Sequence, residues 1–191
     1  MTLALGVLFG LQGIPCVYSG TEQHLHGIGN SDAAVREALW GAPNAFNKTD
    51  PFYKALAAIA EVRAAQPALR YGRQYFRQLS GNRRDFAVST FTPGVIAFAR
   101  ILNAHEVLVI ANTAERATFN GEVIVDIDLN QEPGTFRVLF SNQARATAPG
   151  PLRTANRGTV TIRELDSSIT FGPARVLPVI HRGLEVQILR R

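Results

Sequence analysis

The residues best equipped for chemistry crowd into one stretch near the start of the chain. From Gly13 to Gly27 it reads GIPCVYSGTEQHLHG and carries an acid, Glu22, an amide, Gln23, and two imidazoles, His24 and His26. A loop carboxylate invites a general acid or base role. Two alternating histidines are short of a zinc-type ligand set, which needs a third protein ligand, so no metal is assigned to them. Further on, SDAAVREALW places Asp32 and Arg36 four residues apart. On a helical turn they face the same way, and the plain reading is an exposed ion pair. Trp40 closes that stretch, and a lone Trp is more often packing than a platform.

The elements that must position these residues change character near residue 67. Thr2 to Leu11 reads as a short helix, apolar on nearly every side, which calls for full burial. Gly13 and Pro15 end it. Ile14, Cys16, Val17 and Tyr18 then form a short apolar run, the pattern of a strand buried on both faces of a parallel sheet. Gly20 to Asp50 is a long irregular segment with a short helix around Asp32 to Leu39, and loops of this length are usually functional. Asp50 as N-cap and Pro51 at the first position open a clear helix that Pro67 ends.

From residue 68 the pattern is short strands: 71–79, 86–92, 95–101, 106–111, 117–125, 134–139, 159–162, 175–180 and 184–189. Turn signals such as SGN, TPG, EPGT and HRG separate them. Such spacing predicts an antiparallel sandwich. In GVIAFARIL, Val95, Ala97, Ala99 and Ile101 fall on one side, with Ile96, Phe98 and Arg100 on the other. Residues 141–158 read as a long loop. One parallel-type strand cannot make a sheet, so the first part reads as a piece of a larger α/β structure.

Net charge is +5, but the arginines are scattered and no RNA-binding signature or phosphate loop accompanies them. A basic solvated surface is expected, with no nucleic-acid partner. The one cysteine, Cys16, allows no internal disulfide. No Lys or Arg precedes Arg36, so the apolar start lacks the basic region of a signal peptide, and it is too short to span a bilayer. A soluble chain with no membrane partner is expected; its compartment is not fixed.

LFGLQGIPCVYSGTEQ followed by GNSDAAVREALW resembles the end of the catalytic barrel in the α-amylase family of glycoside hydrolases, family 13. The matching positions are Gly13, Ile14, Pro15, Val17, Tyr18, Gly20, Glu22 and Gln23, then Asn30, Asp32, Arg36, Glu37 and Trp40. The helix DPFYKALAAIAEVRAAQPAL is similar to the closing barrel helix. The resemblance implies an α/β portion over residues 1–66, the last strand and helices of a (β/α)8 barrel. An all-β antiparallel sandwich, domain C, would follow over residues 67–191. Active sites of such barrels lie at the C-terminal strand ends, so the loop from Ser19 would face the catalytic side. Asp32 and Arg36 match family residues that hydrogen-bond glucose units, a task that suits a carboxylate acceptor and a fork of guanidinium donors. Trp40 is a candidate stacking platform. Glu22 is implied to anchor the loop rather than to catalyse. Calcium is common in the family, with ligands earlier in the barrel; no cofactor is assigned here.

A retaining glycosidase needs two carboxylates about 5 Å apart. The family's catalytic carboxylates lie in segments with no counterpart in this sequence, and no acid precedes Glu22. The expectation is the C-terminal part of an α-amylase-like enzyme acting on α-1,4-glucans, with these residues alone not hydrolysing glycosidic bonds. SGTEQ and SDAAVRE lean toward α-amylase. The other readings are a part of a related α-glucosidase or glucanotransferase, or a non-catalytic carbohydrate-binding or interaction module. An unpaired strand at 14–18 and a helix at 2–11 without its cover would leave residues 1–66 loosely held beside a stable 68–191.

Overall fold

The computed structural model describes residues 1–27, 29–36, 38–42, 45–88, 94–143 and 150–191. Helix α1 spans Thr2–Gly10 and holds no charged residue. A single-turn helix α2, Asp32–Val35, sits within the long loop, and α3, Pro51–Ala65, follows. Asp50 caps α3 as expected, its carboxylate accepting from the N–H groups of Phe52 and Tyr53. Pro67 does more than end α3. It occupies the first turn of a further helix, α4, Pro67–Tyr71, where its missing N–H costs nothing. No helix among the described residues is long and apolar enough to cross a membrane.

The rest is strand. In chain order they are β1 Arg73–Phe76, β2 Leu79–Ser80, β3 Asp85–Phe86, β4 Val95–Leu102, β5 His105–Asn112, β6 Phe119–Val125 and β7 Thr135–Ser141. Then come β8 Leu152–Arg153, β9 Ala155–Arg157, β10 Val160–Arg163, β11 Ser168–Phe171, β12 Ala174–His181 and β13 Glu185–Arg190. They form three sheets, ordered β1-β4-β5-β13-β7-β8, β2-β6-β12-β9 and β11-β10-β3. All pairings are antiparallel except the short β10–β3 pair. Residues 89–92 and 144–149, parts of an expected strand and of the expected 141–158 loop, lie outside the described residues. The ends of that loop are structured: β8 pairs with β7 and β9 with β12.

The six- and four-stranded sheets face each other across the main core. Val95, Ala97, Leu108, Ile110, Phe136 and Leu189 meet Leu79, Phe119, Val123, Val125, Leu177 and Val179. The outer face of the six-stranded sheet carries Phe98, Val109, Val186 and Ile188 under α1 and α4. The outer face of the four-stranded sheet carries Ile124 and Val176 under Phe86, Val160 and Ile162 of the third sheet. Both middle layers are therefore covered twice, which is why β5 and β12 read as near-continuous apolar runs. The alternation read in GVIAFARIL is real, with one parity in the main core and the other under the helices.

Helix α1 has a cover, contrary to expectation. Leu3, Val7 and Leu11 lie on the sheet, while Leu5 and Phe9 pack with Phe52 and Ile59 of α3. Glycine permits the approach: a Cβ on Gly6 would stand 2.6 Å from Val186 Cγ1, and one on Gly10 2.9 Å from Val109 Cγ2. Two arginines hold the helix end. Arg63 donates to the carbonyls of Phe9 (2.5 Å), Leu11 (3.3 Å) and Gly13 (2.6 Å), and Arg100 to those of Gly10 (2.9 Å) and Gly72 (2.8 Å). Cations here take up the carbonyls a helix leaves unpaired and oppose the negative end of its dipole. Desolvation and its neighbour Arg70 lower the pKa of Arg63, and desolvation and Arg63 lower that of Arg100. These are not members of a solvated basic surface.

The expected strand at Ile14–Tyr18 is not formed. Residues 14–18 belong to no strand, because no described segment lies beside them to exchange backbone hydrogen bonds. Ile14 is 96% exposed and Tyr18 62%. Val17 instead packs against the α1–α3 cluster.

Candidate functional site

The loop after Tyr18 is pinned at its root. Gly20 has φ +87°, and a Cβ there would strike Leu25 Cδ1 at 2.4 Å, so the turn needs glycine. Its N–H donates to Glu22 Oε2 at 3.1 Å, which makes Glu22 a loop anchor. Gln23 and Asn47 clasp the loop's two ends: Asn47 N–H donates to Gln23 Oε1 (2.8 Å), and Gln23 Nε2 to the Asn47 carbonyl (3.3 Å).

The histidines do the same work. His24 Nε2 lies 3.2 Å from Asp50 Oδ1, and its ring packs against Phe52 with centroids 4.8 Å apart. His26 Nδ1 lies 3.0 Å from the His24 carbonyl, which requires the proton on Nδ1. Burial alone would raise the Asp50 pKa; the N–H groups of Phe52 and Tyr53 and the nearby His24 outweigh it and hold it low. Among the described residues, no three His, Cys, Asp or Glu side chains are grouped to hold a metal ion.

Beyond the anchored root the loop presents α2. Ser31 caps it, its Oγ accepting from Ala34 N–H at 3.2 Å. Asp32 opens the helix and Arg36 closes it, the Arg36 N–H donating to the Asp32 carbonyl at 3.1 Å. Both side chains are exposed, and among the described residues no ion pair joins them. Glu37, the next motif residue, lies outside the described residues. Trp40 is 83% exposed and meets Phe46 edge-on at 5.0 Å. Phe46, half exposed itself, escaped the sequence reading; an aromatic six residues after Trp40 in a polar loop was the available signal. A hollow of about 100 Å³ beside α2 is lined by Tyr18, Leu25, His26 and Val35. A larger cleft, about 660 Å³, opens between the starts of α1 and α3 and touches none of Asp32, Arg36 and Trp40.

No protein-family model matches the chain. A cyclomaltodextrin glucanotransferase of Geobacillus stearothermophilus is 34% identical over 80 residues, 42% of this chain and 10% of that protein. Among solved structures, CldA, a cyclomaltodextrin glucanotransferase with a three-domain ABC distribution, superposes with a TM-score of 0.60 at 18% identity. The match covers all of this chain and 31% of that one. An α-amylase from Geobacillus thermoleovorans, complexed with acarbose, gives 0.59 at 17% identity over 99% of this chain and 32% of its own. The chain thus spans about a tenth of the curated relative and about a third of these solved enzymes. The resemblance carried by Gly13–Trp40 holds: this chain is similar to enzymes of the α-amylase family, and its β-sheets have the fold of the matching region.

Proposed function

We propose that this chain does the work of the region it matches in α-amylase-type enzymes: residues 1–66 as the closing end of a (β/α)8 barrel, residues 67–191 as the sandwich that follows. In this reading the glucan is an α-1,4-linked one, and the loop holding α2 touches it. Asp32 accepts from sugar hydroxyls, Arg36 donates to them, and Trp40, backed by Phe46, offers a ring face. The observation that carries the reading is that exposed turn, directly after a segment whose burial alternates as a barrel strand's would. Val17 faces the helices, as outward residues of a barrel do, while Ile14 and Tyr18 bare the side that a barrel interior would cover. Bond cleavage, whether hydrolysis or transglycosylation, requires carboxylates that these residues do not contain.

The test uses the chain's only Trp. Titration with maltoheptaose is expected to change Trp40 emission saturably. Asp32→Asn and Arg36→Ala should each weaken binding about 5–10-fold, the value of one lost charge-assisted hydrogen bond. Unchanged emission, or affinity in both variants equal to that of the unsubstituted chain by calorimetry, defeats the glucan-contact reading. Substantial release of reducing sugar from starch by this chain defeats the statement about cleavage.

A further inference from the structure

The long loop leaves and returns at one knot. On the outgoing side the chain from Gly20 to Leu25 closes on itself. The N–H groups of Gln23 and Leu25 donate to the Gly20 carbonyl at 2.9 and 3.0 Å, and that of His24 to the Thr21 carbonyl at 3.1 Å. On the returning side Asn47 Oδ1 accepts from the N–H and the hydroxyl of Thr49 at 2.9 and 2.7 Å. The Gln23–Asn47 clasp and the His24–Asp50 contact join the two sides just before α3.

His24 is the unusual member of the knot. Its backbone is left-handed, φ +61°, a region few side chains occupy and in which histidine is enriched. Strained backbone of this kind collects at functional sites, held there by the contacts around it. The His24 ring lies against Phe52 and reaches the carboxylate that caps α3. The His24 carbonyl holds the ring of His26. From His26 the connection runs on to α2 by packing. His26 and Val35 line the same small hollow. Gly27, φ +69°, lies so close to α2 that a Cβ would stand 2.6 Å from Val35 Cα and 2.9 Å from the Ala34 carbonyl oxygen; one on Gly29 would stand 2.8 Å from Ala34 Cβ. The described hydrogen bonds of residues 31–36 stay within that turn. α2 is therefore seated by packing on Gly27 and Gly29, and the His26–His24–Asp50 series ties that backbone to α3.

We propose that His24 is a positioning residue: it fixes α2, and with it Asp32 and Arg36, relative to α3. Its bearing on glucan rests on the loop reading above. An imidazole suits the task because one residue must accept a left-handed backbone, lay a flat ring on Phe52 and reach an aspartate with a ring N–H. The His24 side chain is 54% exposed, so the effect of the pair is a few-fold rather than all-or-none. A histidine that served only the cap of α3 would change melting temperature and leave α2 where it is.

The experiment compares the whole chain with two variants. His24→Asn keeps the left-handed backbone but is too short to reach Asp50, and His24→Gln can place its amide nitrogen where Nε2 stands. One readout is ¹⁵N relaxation of Ala34, Val35 and Arg36 without ligand; the other is maltoheptaose affinity from Trp40 emission. His24→Asn should lower the order parameters of those amides while those of β5 stay near about 0.85. It should weaken maltoheptaose binding about 3–5-fold, the size of an exposed pair, and His24→Gln should recover most of both losses. In an Asp32→Asn background the same substitution should cost less than it does alone, because it acts partly through that carboxylate. Unchanged order parameters at 34–36, full additivity with Asp32→Asn, or a loss that His24→Gln does not recover each overturns the proposal. If the unsubstituted chain fails to bind maltoheptaose, the glucan reading falls, and the order parameters alone decide whether His24 positions α2.

Discussion

The sandwich and the segment before it solve the same problem with different success. β4, β5 and β13 find hydrogen-bond partners on both edges and apolar cover on both faces. Ile14–Tyr18 has equally strand-prone residues, yet one face is bare and neither edge is paired. Composition alone therefore does not make a strand; a neighbour does. Between the two, α1 and α3 show an intermediate case. They are borrowed by the sandwich as a roof, held by packing on one side and by two buried guanidinium groups at the end.

The contrast can be broken by substitution. Leu108→Ala, in the main core at 0% exposure, should cost about 2–5 kcal/mol, whereas Val17→Ala should cost about 1 kcal/mol or less. Denaturant midpoints read both, and similar losses would erase the distinction between the regions. Arg63→Met removes the donor to three carbonyls and should cost about 2–3 kcal/mol. Hydrogen exchange should then quicken in residues 2–20 while β5 and β12 stay protected; uniform quickening would mean that α1 and the sandwich open as one unit. Gly6→Ala pushes a methyl into Val186 and should cost about 1–3 kcal/mol. A neutral or stabilising result would show that the roof slides freely on its sheet.

The smallest effect separates the regions by pH. Desolvation raises the Glu106 pKa above 4.5, despite Arg77 at 2.7 Å and donation from Asn130. Between 4.5 and that raised value the folded chain keeps a proton the unfolded chain has released. Its contribution is full below that window and declines as pH rises through it. Asp50 runs the other way. Its pKa lies below 3.8, so its contribution is present above 3.8 and fades as pH falls through the window beneath. Glu106→Gln should flatten the first slope of a pH–stability curve, and Asp50→Asn the second. A curve unchanged by either variant would contradict the corresponding shift.

The sequence reading and the structure agree where a pattern was local. Asp50-Pro51 announced α3, GVIAFARIL announced β4, and the apolar start announced a helix in need of burial. They part where a partner decided the outcome. Tyr71–Leu79 read as one strand but is a helix end followed by β1 and β2 in opposite sheets, because the chain crosses between layers at Arg77 and Gln78. β8, β9 and β11 are two to four residues long and mostly polar; they exist because β7, β12 and β10 offer them an edge. At the candidate site, spacing put Asp32 and Arg36 on one turn, whereas Phe46 behind Trp40 needed coordinates. The buried roles of Arg63 and Arg100 were hidden because arginine carries no sequence mark of what its guanidinium will meet.

β13 occupies the middle of the six-stranded sheet, between β5 and β7, and Val186 on it meets Gly6 of α1. During synthesis, then, α1 must wait for residues translated more than 170 positions later before its seat exists. Such distant pairing is slow to form and leaves apolar surface open meanwhile. A ribosome carrying this chain holds an unroofed, half-closed sheet until β13 emerges, the interval in which a chaperone would have most to shield.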